Sequence, residues 1–507
     1  MKKALCIVLV IFILISCAGV YLLRNMMSWS NPEGVANDST IVSTANGKLQ
    51  GRVHNNIYSF LGVQYAVGEK LFQKAEKVES WDGVKTAFEY GTASNQSGTF
   101  GSLGSFITGN SYSNNCQNLN LWTPALDGEK RPVMVWLHGG GFATGTANSY
   151  NGESLAGKQD VVVVGINHRL NMLGHLDLSE YGEEYKYSAN IGIDDIIMAL
   201  KWIQENIENF GGDPDNVTVF GQSGGGAKVL ALMTASDAAG LFHKAIIQSG
   251  ATETVGVKFT TKEASLDLTE SVLAKLGIDK NNIDKINDVS YTDLTNAGSE
   301  ALSEIAAKHH IPGPFGGYGM EWEPVVDGEY IVDHPVTEDG FADVAHSIDI
   351  PLLIGSNINE WSRFVSSEQV DVTDEIKSAF AEAYPNENPE DARYVDTLIR
   401  MPMLKIMTAK ADAGGANVYS YMFSYNNAVH GAEIPYAFAE GEGEMYDMMS
   451  SIWANFARTG VPSAEGLPEW EPYTREGGAC MIIDEVSYLD HHHDDYLIKL
   501  IKPDFDY

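Results

Sequence analysis

The feature that most constrains this chain is a series of short, almost uninterrupted apolar runs, rich in β-branched residues, that end in glycine or polar residues. Residues 132–137 (Pro-Val-Met-Val-Trp-Leu), 161–166 (Val-Val-Val-Val-Gly-Ile) and 217–220 (Val-Thr-Val-Phe) begin the series. Residues 245–248 (Ala-Ile-Ile-Gln), 351–354 (Pro-Leu-Leu-Ile) and 418–423 (Val-Tyr-Ser-Tyr-Met-Phe) continue it. Runs without apolar–polar alternation suit strands covered on both faces, as in a mostly parallel sheet. Helical periodicity lies between them. At 195–210, Ile196, Ala199, Leu200, Ile203, Ile207 and Phe210 form an i, i+3/i+4 stripe that Gly211-Gly212 stops. This strand–helix alternation predicts an α/β fold with a doubly wound, mostly parallel central sheet. A helical stretch at about 261–308 predicts an insertion in the position of a cap.

The N-terminus sets the boundary of the domain. Lys2 and Lys3 precede an uncharged, mostly apolar run at 4–23, closed by Arg24. A helix of that length rises about 30 Å, the thickness of a bilayer core, and the paired lysines would stay cytoplasmic. Residues 1–25 are therefore expected to export the domain. Three forms stay open: an uncleaved anchor, a lipoprotein signal with lipidated Cys17, and ordinary cleavage guided by Ser16 and Ala18. The run exceeds the usual cleaved core of about 7–15 residues, which favours the anchor. Polar residues 26–38 read as a linker, leaving 39–507 as the folded domain.

Composition excludes some partners. The chain carries 33 Lys plus Arg against 68 Asp plus Glu, a formal net charge of -35. Such a surface repels phosphate backbones and anionic headgroups. Nucleic acid is not expected as a partner, and membrane attachment is expected only through the N-terminal segment. Of four cysteines two lie in the leader, so there is no disulfide framework; Cys116 and Cys480 are left paired or free.

Two motifs point to chemistry. Gly221-Gln222-Ser223-Gly224-Gly225 follows one strand-like run and precedes a helix-compatible one at 227–234. That is the setting of a nucleophile elbow, a sharp turn that needs small neighbours and exposes the serine at a helix N-terminus. Alone the pattern is weak, because Gly-x-Ser-x-Gly is common in glycine-rich chains. Upstream, His138-Gly139-Gly140-Gly141-Phe142 directly follows another strand-like run. Three glycines let main-chain N–H groups approach a substrate oxygen without Cβ obstruction, as an oxyanion hole requires. The two motifs in this order, each after a strand, make coincidence a poor explanation.

A longer resemblance surrounds them. Asn190-Ile-Gly-Ile-Asp-Asp195, Phe210-Gly-Gly-Asp-Pro214 and the elbow sequence together resemble the signature of the type-B carboxylesterase/cholinesterase family. The likeness runs from Thr44-Ala-Asn-Gly47 to Trp453-Ala-Asn-Phe-Ala457 and is densest at 132–250. It implies an α/β-hydrolase fold with helical insertions, no cofactor or metal, and hydrolysis of small-molecule carboxylic esters through an acyl-enzyme. It further implies a Ser–Glu–His triad of Ser223, Glu360 (in Gly355-Ser-Asn-Ile-Asn-Glu-Trp361) and His430 (in Val429-His-Gly-Ala-Glu-Ile434). Gly140, Gly141 and Gly224 would supply the oxyanion N–H groups; Phe142, Gln222 and Trp361 would contact substrate. His309-His310 and His491-His492-His493 are rival histidines; the second run, beside Asp494 and Asp495, reads as a polar surface turn in preference to an adventitious metal site.

Departures from the resemblance are specific. Gln222 replaces the usual Glu and Gly224 the usual Ala, while Ser94 stands where a partner for Cys116 is expected. Leu71 and Asn114 replace a usual Arg and acidic residue, so the loop at 94–116 is expected to be reshaped. It carries no Trp, which argues against choline-type recognition. The leading expectation is a broad-specificity carboxylesterase. The alternatives are a lipase or sterol esterase, and a binding homologue of the kind used in adhesion, which an intact triad disfavours. A histidine base must be neutral to act, so the hydrolysis rate is expected to fall as pH drops through about 6–7; a pH–rate profile checks this.

Overall fold

Eleven strands form the central sheet of a computed structural model that describes residues 33–96, 111–250, 259–313, 317–344, 347–360, 372–385, 388 and 399–505. Numbered along the chain, they are β1 (Arg52–His54), β2 (Ile57–Gln64), β3 (Asn118–Thr123), β4 (Arg131–Leu137), β5 (Val162–Ile166) and β6 (Gly212–Gln222). Then follow β7 (Lys244–Gln248), β8 (Leu352–Asn357), β9 (Val418–Phe423), β10 (Ala479–Ile483) and β11 (Tyr488–His491). Their spatial order is β11-β10-β9-β8-β7-β6-β4-β5-β3-β2-β1. The pairs from β5 through β10 are parallel, and the edges β1–β2–β3–β5 and β10–β11 are antiparallel. Every apolar run picked out in the sequence is a strand here. The strand β6 starts earlier than its apolar run, at Gly212, because Arg131 pairs with Gly212 across a register shift.

Both faces of the sheet are dry, as unbroken apolar strands require. On β4, Val133, Val135 and Leu137 enter one core, while Met134 and Trp136 enter the other. The same alternation splits Ala245 and Ile247 from Ile246, and Leu352 and Ile354 from Leu353. The helices α1 (Ile191–Asn206), α2 (Gly224–Met233) and α5 (Arg400–Ala413) cover the first face. Helix α6 (Glu444–Thr459) covers the second, where Trp136 packs against Phe220 and Phe438 with centroids 4.9 and 5.0 Å apart. The expected cap consists of α3 (Lys262–Leu276) and α4 (Tyr291–Lys308), which close over Met172, Leu173 and Trp322 in a separate core. The predicted stop of α1 holds: a short 3-10 turn, Ile207–Phe210, ends at Gly211 with φ 78°.

A buried ion pair ties the chain after β5 to α1. Arg169 and Asp195 are almost completely inaccessible, and two nitrogens of the guanidinium meet both carboxylate oxygens at 2.8 and 2.6 Å. Asp195 also accepts from the Arg169 and Gln117 amides, at 3.0 Å each. Neither Cys116 nor Cys480 is in a disulfide, and both are buried. The expected replacement is explained in space: Ser94 hydrogen-bonds the Cys116 thiol, which burial pushes up to about 12. The N-terminal segment, the 97–110 part of the loop expected to be reshaped and Trp361 lie outside the described residues. Among the described residues no helix is long and apolar enough to cross a membrane. Removing one partner of a buried pair strands the other charge, so Arg169→Met is expected to cost about 3–5 kcal/mol of stability. Denaturant unfolding of that variant beside the Arg169→Met/Asp195→Leu double variant, expected to recover part of the loss, tests it.

Candidate active site

Parallel pairing brings the ends of four strands to one edge. Leu137 at the end of β4 pairs with Gly221 of β6, Gln222 pairs with Gln248 of β7, and Gln248 pairs with Gly355 of β8. Turns leaving the carboxyl ends of neighbouring strands, where strand order changes direction, form the usual crevice of such sheets. Here β5 and β6 leave β4 on opposite sides.

Ser223 sits at φ 56°, ψ -125°, between the last residue of β6 and the first of α2. A non-glycine residue at positive φ is strained, and this one is held by its surroundings. Its N–H donates to Gln248 O at 2.8 Å, and its carbonyl accepts from Ala227 N–H at 3.1 Å. The glycines explain how the turn fits. A Cβ at Gly225 would lie 2.0 Å from Leu137 O, and one at Gly221 would lie 2.5 Å from the Gly225 carbonyl carbon. The turn after β4 crosses directly above, with Gly140 at φ 93° and Gly141 at φ 62°. Among the described residues, the N–H groups of Gly140, Gly141 and Gly224 meet no acceptor. Gly224 is required as well: a Cβ there would meet the O, Cα and N of Gly141 at 2.3, 2.4 and 2.5 Å. The alanine expected from the resemblance does not fit beneath this turn.

Glu360 follows the end of β8 and is fully buried. Its Oε1 accepts from the Asn357 N–H at 2.6 Å and from Ser249 Oγ at 2.5 Å. Its Oε2 lies 2.5 Å from His430 Nδ1, and His430 Nε2 lies 3.1 Å from the Gln222 amide nitrogen. With the imidazole proton on Nδ1 both contacts are satisfied: Nδ1–H donates to the carboxylate and Nε2 accepts from the amide. That is the tautomer a general base needs, its Nε2 lone pair turned toward the Gln222 amide of the elbow.

A second buried carboxylate supports the arrangement. Glu433 accepts from Gln248 Nε2 at 3.1 Å and from the Asn357 side chain, which also donates to Val429 O at 2.9 Å. Burial, aided by the nearby Glu360, pushes the Glu433 carboxyl above the usual range. Gln248 Oε1 in turn accepts from Trp453 Nε1 at 3.0 Å. Gln248, Ser249, Asn357 and Glu433 were not among the sequence candidates. Glu433 carried the only hint, lying three residues after His430.

The structure brings Glu360, His430 and Gln222 into one chain beside Ser223, with Gly140, Gly141 and Gly224 against it. Phe142, expected to contact substrate, is fully buried behind the turn and packs edge-to-face on His175. The rival histidines are engaged by neighbours. His309 meets Asp267, His310 meets the Tyr318 hydroxyl, and His491, His492 and His493 meet Glu471, Asp495 and Asp490. Among the described residues no group of three or more His, Cys, Asp or Glu is arranged to hold a metal ion.

A parallel sheet carrying a serine elbow beside a buried Glu–His pair defines the class of fold, and comparison with known proteins gives the family. The Carboxylesterase family matches residues 38–395 and 391–495. Para-nitrobenzyl esterase of Bacillus subtilis is 34% identical over 491 residues, covering 89% of this chain and 96% of that protein. Human cocaine esterase is 29% identical, covering 88% of each. Among solved structures, an esterase from anaerobic Clostridium hathewayi that can hydrolyse aliphatic aromatic polyesters superposes with a TM-score of 0.80 at 35% identity. That likeness covers 93% of this chain and 99% of the other. The chain belongs to the carboxylesterase family.

The tight contact above the elbow has a measurable consequence. Gly224→Ala forces the Gly141 backbone to retreat, and such overpacking is expected to cost about 1–3 kcal/mol in denaturant unfolding.

Proposed function

We propose that this protein hydrolyses carboxylic esters through an acyl-enzyme formed on Ser223. The observation that carries the reading is the fully buried Glu360 holding His430 Nδ1 at 2.5 Å, with Nε2 turned to the residue next to Ser223. On substrate entry Ser223 Oγ takes the place of the Gln222 amide at Nε2. The Oγ–C bond forms as the proton passes to Nε2, and Glu360 stabilises the imidazolium. The carbonyl oxygen gains the negative charge, met by the N–H groups of Gly140, Gly141 and Gly224 and by the N-terminal end of α2. Each preorganised donor is worth about 3–4 kcal/mol in comparable sites. Collapse expels the alcohol, protonated by His430, and water then repeats the sequence in reverse to release the acid.

The family and the esterase names of its relatives support this reading, as does the strained serine at the head of α2. Broad specificity for modest acyl chains is the form we favour, with small-molecule esters as the substrates. The N-terminal segment fits the same picture as a signal or anchor that exports the domain, because paired lysines precede its apolar run.

Ser223→Ala is expected to abolish turnover of p-nitrophenyl acetate and butyrate, by about ten-thousand-fold or more, and to remove labelling by a serine-directed organophosphate. A folded wild-type domain that neither turns over these esters nor reacts with the organophosphate would instead be a binding homologue.

A further inference from the structure

Behind the turn after β4 lies a lysine that the chemistry above does not use. Lys228 is in α2, five residues after Ser223, and is fully buried. Its Nζ donates to His138 O at 2.9 Å and to Gly141 O at 2.7 Å, and it stands 5.5 Å from the centroid of the Phe142 ring. A buried ammonium is unfavourable unless its donors are met, and here main-chain carbonyls meet them. The choice of carbonyls is informative. They belong to the peptide units 138–139 and 141–142, which bracket the two units that carry the N–H groups of Gly140 and Gly141. Glycines at φ 93° and 62° leave that turn free to rotate, so something must fix it.

We propose that Lys228 is a positioning residue for the hydrolysis: its ammonium clamps both ends of the 138–141 turn, aims the Gly140 and Gly141 N–H groups at the ester oxygen and adds positive field there. The inference rests on the ester-hydrolase reading. Gly224, lacking a Cβ, lets Gly141 descend on the elbow, and Lys228 holds it there from the other side.

Among the described residues, the titratable groups that face the ammonium are three imidazoles: His138 after β4, His168 after β5 and His175 in the short helix Met172–His175. Burial, reinforced by the lysine charge, pushes His138 down to about 3 and His168 well below the ordinary range. Burial also brings His175 to about 3, so all three stay neutral where the enzyme works. The same burial brings Lys228 down to about 7. Raising the pH through that value leaves an amine that keeps two donors but loses the charge. Activity is therefore expected to fall several-fold on the alkaline side.

Lys228→Met keeps the length of the side chain and removes its donors. With p-nitrophenyl butyrate, kcat is expected to drop about 10- to 100-fold, a little less than for a lost oxyanion donor, with KM within about threefold. The alkaline limb of the wild-type kcat profile is expected to vanish in the variant. A variant whose kcat stays within twofold of wild type, or whose alkaline limb persists, overturns the proposal. Should the variant not fold, the wild type decides alone: a kcat profile with no fall anywhere between about pH 7 and 10.5, the span from the buried to the ordinary lysine value, removes the charged clamp.

Unfolding read against pH needs no substrate. The folded chain binds fewer protons at this lysine than the unfolded chain between about 7 and its ordinary 10.5. The wild type is thus expected to gain thermal stability relative to Lys228→Met as pH rises across that window. A flat difference shows that burial does not lower the lysine, and the kcat of Lys228→Met alone then upholds or overturns the clamp. If the wild type is inactive on every ester while this difference holds, the hydrolase reading fails rather than the burial of the charge.

Discussion

The site depends on one steric fact: the chain leaving β4 touches the chain leaving β6 backbone against backbone. Adjacent parallel strands are about 4.8 Å apart, which leaves no room for a Cβ on the inner side once both chains turn. Leu137 O would lie 2.0 Å from a Cβ at position 225, and the Gly141 backbone within 2.5 Å of one at 224. Glycine at 221, 224 and 225 removes that obstacle. The contact then puts three N–H groups that meet no acceptor among the described residues beside Ser223, at the positive end of a helix dipole. The strain at Ser223 persists because β7 on one side and α2 on the other over-determine its conformation.

Charge is managed differently on the two sides of the elbow. On the His430 side two buried carboxylates stand close together, and each is surrounded by donors. Ser249 and the Asn357 amide serve Glu360, while Gln248 and the Asn357 side chain serve Glu433. Asn357 bridges both, so the orientation of the imidazole and the shape of the loop carrying it are fixed by the same residue. On the other side the buried charge is positive, and neutral imidazoles and main-chain carbonyls surround it. In a low-dielectric interior each group acts on its neighbours much more strongly than at the surface, where salt screens the strongly acidic exterior.

Much of the framework was legible because it follows from short-range rules. Strands covered on both faces read as unbroken apolar runs, and all six such runs are strands. The elbow and the glycine turn were legible because backbone crowding demands small residues at fixed spacing. Glu360 and His430 were different. Nothing in their local sequence separates them from solvated carboxylates and histidines, and only the family resemblance singled them out. Their partners stayed hidden: Ser249 meets Glu360 across 111 residues and Gln248 meets Glu433 across 185. Lys228 gave no signal either, since a lysine in a helix is ordinarily solvated.

The sequence by itself determined the parallel sheet, its cap, the strained serine turn and the glycine turn above it, because sterics and periodicity act within a few residues. Only the tertiary structure decided which groups meet around them. Strand order brings the ends of β4, β6, β7 and β8 together, and that order is set by the burial of two whole cores rather than by any local pattern. It turned Phe142 inward to support the turn, gave His430 Nε2 to the Gln222 amide, and set a lysine behind the N–H groups it steadies. Burial then fixed the charges of these groups, because the cost of removing an ion from water depends on where the folded chain puts it.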